Sequence, residues 1–283
     1  MVKFILVVSA LLLWNCSTNK FVFEVKQLEN RIYKMTMKTN IKSLIDFEAP
    51  QEILDKIKAN GLQLPMDVTQ EQVMVFRTYT NEKKDDIIPF QGSLDSISSI
   101  QYRNGELVEQ SAQSGLDTSF TMSGYYKNGK TVIESIKGNG IYPSIEQSIK
   151  QAVEKMMASL NFPKEPIQIG DSFSNSIPVT IPVQGITNVN ISITTHYKLM
   201  RIENNLAYFD IVQDFDLNSE GEKDKTVLKG HGNGKMVYDR NLFQMISMTT
   251  TSKIKMQAEK DNIIVIVNGD TTTEMDVYVK DAQ

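Results

Sequence analysis

Polar and apolar residues alternate with a period of two along most of the chain. In "RIYKMTMKTNI" (31–41), Tyr33, Met35, Met37 and Ile41 share one face, while Lys34, Thr36, Lys38 and Asn40 share the other. A strand turns successive side chains to opposite faces, so this pattern predicts a half-buried antiparallel strand. "VMVFRTYT" (73–80) and "SISSIQY" (96–102) read the same way. Turn signals punctuate these runs. "RNGE" (103–106) and "KNGK" (127–130) place Asn-Gly between extended segments, and a two-residue hairpin needs φ > 0 at both central positions. Asn204-Asn205, Asp239-Arg240-Asn241 and the Asn-Gly of "NIIVIVNGDTTTEMDVYV" (262–279) predict three further turns.

Two segments break the alternation. In "PSIEQSIKQAVEKMMASL" (143–160), Ile145, Ile149, Val153, Met156, Met157 and Leu160 recur at helical spacing. Ser144 with Gln147 forms a capping box, and Pro163 stops the helix. A weaker helix is predicted over about 50–60. Pro50 opens it, Glu52 and Asp55 precede Lys56 and Lys58, and Gly61 ends it. The fold class that follows is α+β: a large curved antiparallel sheet of long hairpins, open or half-barrel, with two helices packed against it. A single β-rich domain is expected over 24–283. The short similarity of "IKGNGIY" to "LKGHGNGKMVY" leaves open two related halves, about 24–142 and 143–283.

The N-terminus departs from this pattern altogether. Lys3 precedes an apolar run from Phe4 to Leu13, too short for a membrane span, which needs about 20 such residues. This reads as a signal peptide over 1–15. The chain's one cysteine, Cys16, follows directly. Leu13, three positions before it, resembles the leucine of a bacterial lipobox, although Trp14 and Asn15 stand where small residues are usual. That resemblance implies cleavage before Cys16 and its acylation, which also accounts for a thiol with no disulfide partner. More than one acyl chain holds a protein stably on a bilayer. The implied location is the outer membrane, facing the periplasm by default, with the cell surface as the alternative. A short tether is expected over 16–23. Apolar alternation resumes at Phe21, Phe23 and Val25, which would hold the domain close to the membrane.

Composition narrows the chemistry. With a net charge of −4, nothing suggests nucleic acid as a partner. Two histidines give histidine-dependent catalysis little to draw on. His196 lies in a strand pattern and His231 among glycines, so no zinc set forms. No G-x-S-x-G elbow occurs. "KGHGNGK" (229–235) fails the P-loop pattern, because Lys229 stands where the first glycine belongs and Met236 where Ser or Thr belongs. On a strand, Gly230, Gly232 and Gly234 instead make a bare strip for sheet bending or close approach of a helix or ligand. "DFDLNSEGEKDK" (214–225) begins like a calcium loop with Asp214, Asp216 and Asn218. It has Ser219 and Lys225 where the glycine and the bidentate glutamate belong, so a solvated loop is expected. No catalytic residue, metal or cofactor is assigned.

"NFPKEPIQIGDSFSNSIPV" (161–179) carries a second resemblance. Phe162-Pro163, Pro166 and Gly170-Asp171-Ser172-Phe173 are similar to the "FP…P…GDSW" segment of Bacteroidota lipoproteins with no assigned activity, with Phe173 in place of tryptophan. Membership would imply envelope location and a β-rich fold rather than an activity. Two function classes follow. One is a binding module in which Met35, Met37, Met245, Ile149, Val153 and Met156 line a site for a lipid or small apolar ligand; the thirteen methionines beyond Met1 suit such a surface. The other is a solid scaffold acting through an envelope protein partner.

Overall fold

The computed structural model describes residues 20–282, apart from 25, 60, 62, 112–119, 129, 140–145, 148–149, 151–161, 184–186, 218–224 and 261. Among the described residues, twelve strands form one antiparallel sheet. They are β1 (Arg31–Glu48), β2 (Met66–Thr80), β3 (Ile87–Arg103), β4 (Glu106–Ser111), β5 (Thr121–Lys127), β6 (Lys130–Lys137), β7 (Ser172–Val183), β8 (Thr187–Glu203), β9 (Leu206–Leu217), β10 (Lys225–Asp239), β11 (Gln244–Lys260) and β12 (Ile263–Asp281). Their order across the sheet is β6-β5-β3-β2-β1-β12-β11-β10-β9-β8-β7, with β4 added to β3. The chain's first and last strands thus pair at the centre, through eighteen residue pairs from Arg31–Asp281 to Glu48–Ile264. The N-terminal strands spread to one side of that pair and β7–β11 to the other. The sheet is open, with β6 and β7 as its edges.

The turn chemistry is realised at four of the five predicted places. Asn104 and Gly105 have φ of 50° and 81° between β3 and β4, and Asn204 and Asn205 have 49° and 66° between β8 and β9. Asn128 has φ 51° between β5 and β6, and residues 240–243 turn β10 into β11. Asn268-Gly269 does not turn. Both residues lie inside β12, paired with Leu44 and Ser43 on one side and Lys255 and Ile254 on the other. A central strand satisfies its backbone on both sides, and that ladder outweighs the local preference for φ > 0. The reversal comes earlier, at Asn262, with φ 63°.

The helical expectation is corrected in part. The weaker segment forms helix α1 (Gln51–Ala59), begun by hydrogen bonds from Ile53 and Leu54 to the Pro50 carbonyl and stopped at Gly61, φ 81°. None of its residues is buried, so it links β1 to β2 rather than packing on the sheet. Its apolar residues Ile53, Leu54 and Ile57 share one half-buried side, a stripe too short to join the described core clusters. The longer helix predicted over 143–160 lies mostly outside the described residues; Glu146, Gln147 and Lys150 are described there and are helical. Lys150 donates to the Glu134 carbonyl at 2.6 Å and Glu146 accepts from the Ile136 N–H at 3.2 Å, which sets them beside edge strand β6.

Period two gives the sheet two unlike faces. On β9, Ala207, Phe209, Ile211 and Phe215 are buried, whereas Asp210, Val212, Asp214 and Asp216 are exposed on the other side. The ladders carry this division across the molecule, and the buried apolar clusters lie on one face, called here the core face. The glycine strip of β10 belongs to it. The Phe215 ring lies 3.1 Å from where a Gly230 Cβ would stand, and Gln213 Oε1 lies 2.9 Å from the corresponding point at Gly232. At Gly234 a Cβ would collide with the Thr249 carbonyl oxygen. The neighbours that approach closely are therefore side chains and backbone of adjacent strands. Gly234→Ala should cost about 1–3 kcal/mol in urea unfolding, since backbone must shift. Gly269→Ala, whose nearest neighbour would be Ser43 Oγ at 3.6 Å, should be tolerated within about 0.5 kcal/mol.

Candidate ligand-binding face

The N-terminal segment crosses one end of the core face. Phe21 forms a β-bridge with Ile167, its N–H donating at 2.6 Å and its carbonyl accepting at 2.8 Å. Tyr238 on β10 donates its hydroxyl to the Glu24 carbonyl. Further along, Thr80 of β2 donates its hydroxyl to the Leu28 carbonyl at 2.7 Å, and the Leu28 N–H donates to the Tyr33 hydroxyl at 2.9 Å. The described residues of 21–28 therefore form a strap that spans from β10 to β1 and β2. They are held by the Phe-Pro…Gly-Asp-Ser-Phe segment. Gly170, at φ 100°, donates its N–H to the Leu199 carbonyl, and the Asp171 carbonyl accepts from the Leu199 N–H.

Aromatic rings fill this end. Phe21 meets Phe23, Phe209 and Tyr238 edge-on at 4.6, 5.8 and 5.4 Å between centroids. Phe23 stacks on Phe162 at 5.2 Å, and Phe173 stacks on Tyr197 at 4.8 Å. Phe21 has no exposed surface, and Phe23 has 7%. Phe21 and Phe23, in the stretch 16–23 expected to act as a tether, are thus part of the described core.

Beside the aromatic cluster runs a row that only the register shows. Met236, Met248, Met275, Met37 and Met74 are cross-strand partners in succession, on β10, β11, β12, β1 and β2. Phe209 and Leu199 extend the row at one end and Ile97 at the other. Met236 is buried within the cluster, while Met248, Met275, Met37 and Met74 remain half-buried. Next to it lies a row of hydroxyls and amides: Thr250, Thr273, Thr39, Gln72 and Ser99. From the row of Met35 to that of Ile41, the described core face of β2, β1 and β12 to β8 carries no charged residue. Such a surface accepts flexible apolar chains along the thioethers and uncharged polar groups alongside.

The predicted lining divides accordingly. Met37 lies in the row, and Met35 lies one step from it between Phe76 and Val277. Met245 packs against the aromatic cluster and pairs with Tyr238, as core. Ile149, Val153 and Met156 lie outside the described residues, as does Cys16. The loop that begins like a calcium site lies mostly outside them too; among the described residues no group of three or more His, Cys, Asp or Glu is placed to hold a metal ion. Sequence reasoning passed over Met275, Met248 and Met74, because no spacing within one strand tells which residues of other strands stand opposite.

The opposite face holds one constellation that sequence reasoning also missed. Ser174 Oγ lies 2.6 Å from His196 Nδ1, and His196 Nε2 lies 3.1 Å from Asp214 Oδ2. These are the residue types of a nucleophilic triad. Both His196 and Asp214 are about half exposed, however, at 44% and 54%. A triad's carboxylate works from a buried position, where it fixes the imidazole's orientation. The three side chains sit on neighbouring strands of a solvated sheet face, and no reaction is assigned to them.

No protein-family model and no curated protein matches the chain. Among solved structures, it is similar to lipovitellin, described for its lipid–protein interactions, at 10% identity and TM-score 0.45; the match covers 91% of this chain and 26% of that one. It is also similar to a mutant porin of Rh. blastica, at 11% identity and TM-score 0.30, covering 84% of this chain and 99% of that one. The chain therefore spans about a quarter of the lipovitellin chain, and at these TM-scores neither fold is assigned to it. No described helix is long and apolar enough to cross a membrane.

The strap makes two predictions. Phe21→Ala should destabilise the Cys16→Ser domain by about 3–5 kcal/mol in urea unfolding, while Val22→Ala, at a side chain 42% exposed, should stay within about 0.5 kcal/mol. Burial pushes the Tyr238 hydroxyl up to about 12, against the hydrogen bond to the Glu24 carbonyl, which acts to lower it. An unfolded tyrosine ionises near pH 10, so the contribution is intact below about pH 10 and is lost as pH climbs towards the folded value. Spectrophotometric titration should show a late-ionising tyrosine in the folded domain that is lost in Tyr238→Phe, with alkaline unfolding in that interval.

Proposed function

We propose that this chain is a lipoprotein of the bacterial envelope, anchored through acylated Cys16 and holding a lipid or small apolar ligand on its core face. The observation that carries the binding reading is the methionine row. Four half-buried thioethers on four adjacent strands make a continuous, uncharged and adaptable strip, with hydroxyls and amides one step away. That combination suits a ligand with an apolar chain and an ester or hydroxyl group. The lipobox-like N-terminus and the Phe-Pro…Gly-Asp-Ser-Phe segment support the envelope location, with the outer membrane and its periplasmic side as the default. Burial of Phe21 five residues after Cys16 leaves at most a few residues between bilayer and domain, so the strapped end of the sheet would lie next to the membrane.

The test is native mass spectrometry with lipid extraction on the Cys16→Ser domain purified from a bacterial envelope. A stoichiometric apolar ligand is expected, and Met37→Gln with Met275→Gln should reduce its occupancy several-fold. A clean apo mass that stays unchanged after incubation with envelope lipids would sink the binding reading and turn attention to a solid scaffold with a protein partner. Anchoring is tested separately: metabolic labelling with a radioactive fatty acid should mark the wild-type protein and not the Cys16→Ser variant.

A further inference from the structure

The opposite face carries a groove of about 740 Å³ across β10, β11, β12, β1 and β2. Ser43, Gly230, Ile254 and Gly269 turn their side chains, where they have any, to the core face, so backbone forms the floor. Lys42, Lys229, Lys253, Lys255 and His231 line it, against Asp67 and Asp270. The register decides how these charges meet. His231, Lys253, Asp270 and Lys42 stand in one cross-strand row, so Asp270 is flanked by two lysines; its carboxylate lies 3.7 Å from Lys253 Nζ. In the neighbouring row, Lys229 stands directly opposite Lys255, followed by Asn268 and Leu44, with Asp67 only at the far end.

Like charges directly opposite on an antiparallel pair destabilise it. Here the repelling pair lies in a concave site with two further lysines alongside and one carboxylate between them. An anion carrying more than one negative charge would bridge Lys229 and Lys255 and relieve that repulsion, as a carboxylate partner does elsewhere on the sheet. The groove is also far larger than an inorganic phosphate, leaving room for the organic group that a phosphate would be attached to. We propose that this groove binds a phosphate-bearing anion between Lys229 and Lys255, with Lys42 and Lys253 beside it. The site is on the face away from the methionine row, about 26 Å along β10 from Tyr238, and does not rest on the apolar-ligand reading.

The Cys16→Ser domain provides the test, since it carries the whole described fold. Sodium phosphate and a soluble sugar phosphate should each raise its Tm above sodium chloride at matched ionic strength. Phosphatidylcholine vesicles with and without phosphatidic acid form the second arm. A Lys229→Gln, Lys255→Gln double variant should lose binding by about tenfold or more, while its own Tm without phosphate equals or exceeds that of the parent. Binding of the soluble phosphates, lost in the variant, identifies a free phosphate compound. Binding confined to phosphatidic acid vesicles, lost in the variant, identifies a lipid headgroup. Binding in neither arm, binding that the variant retains, or a variant with lower Tm would overturn the proposal.

Discussion

The pairing of the first strand with the last organises everything else. β1 and β12 are 18 and 19 residues long and run together for nearly their whole length, about 60 Å. Their pairing joins residues up to 250 positions apart, so the sheet's centre is its most non-local contact and its closure entropy is correspondingly large. The two meanders on either side need this pair, because each otherwise ends in a long unpaired strand edge. It also sets Met37 against Met275 and Lys42 against Asp270, so both faces take their chemistry from the same register.

Each face then follows from alternation within strands and alignment between them. On the core face the aligned residues are aromatic at the strapped end, thioethers beside them and hydroxyls and amides next. On the other face the same strands align lysines with aspartates in one row and lysine with lysine in the next. A shift of one residue in any central ladder would exchange these surfaces. The β-bulges at Val237/Tyr238 and Val75/Phe76 lie just past the methionine row, so the row crosses β11, β12 and β1 without a register break.

The N-terminal segment connects this architecture to the expected anchor. Its hydrogen bonds to Ile167, Tyr238, Tyr33 and Thr80 draw on strands from both sides of the central pair, so it clasps the two meanders at one end. The Phe-Pro…Gly-Asp-Ser-Phe segment has a structural reason for its composition. Phe162 and Phe173 supply rings to the cluster around Phe23, and Gly170 supplies the φ that brings the backbone to Leu199. A tryptophan in place of Phe173 would offer a larger ring to the same stack on Tyr197.

By itself the sequence determined the period-two strands, the turns at Asn104, Asn128, Asn204 and Asp239, and which side chains of each strand share a face. These are local properties, written in spacing and in residues that tolerate positive φ. It also determined helix α1, through Pro50, the charges and Gly61, but not that none of the helix's residues would be buried. Only the tertiary structure decided that Asn268-Gly269 stays extended, because two neighbouring strands claim its hydrogen bonds. Only the tertiary structure decided which methionines stand together, that Phe215 and Gln213 cover Gly230 and Gly232, and that Lys229 faces Lys255. Cross-strand order is set by pairing between segments up to 250 positions apart, as in Arg31 with Asp281, and no spacing along one strand encodes it.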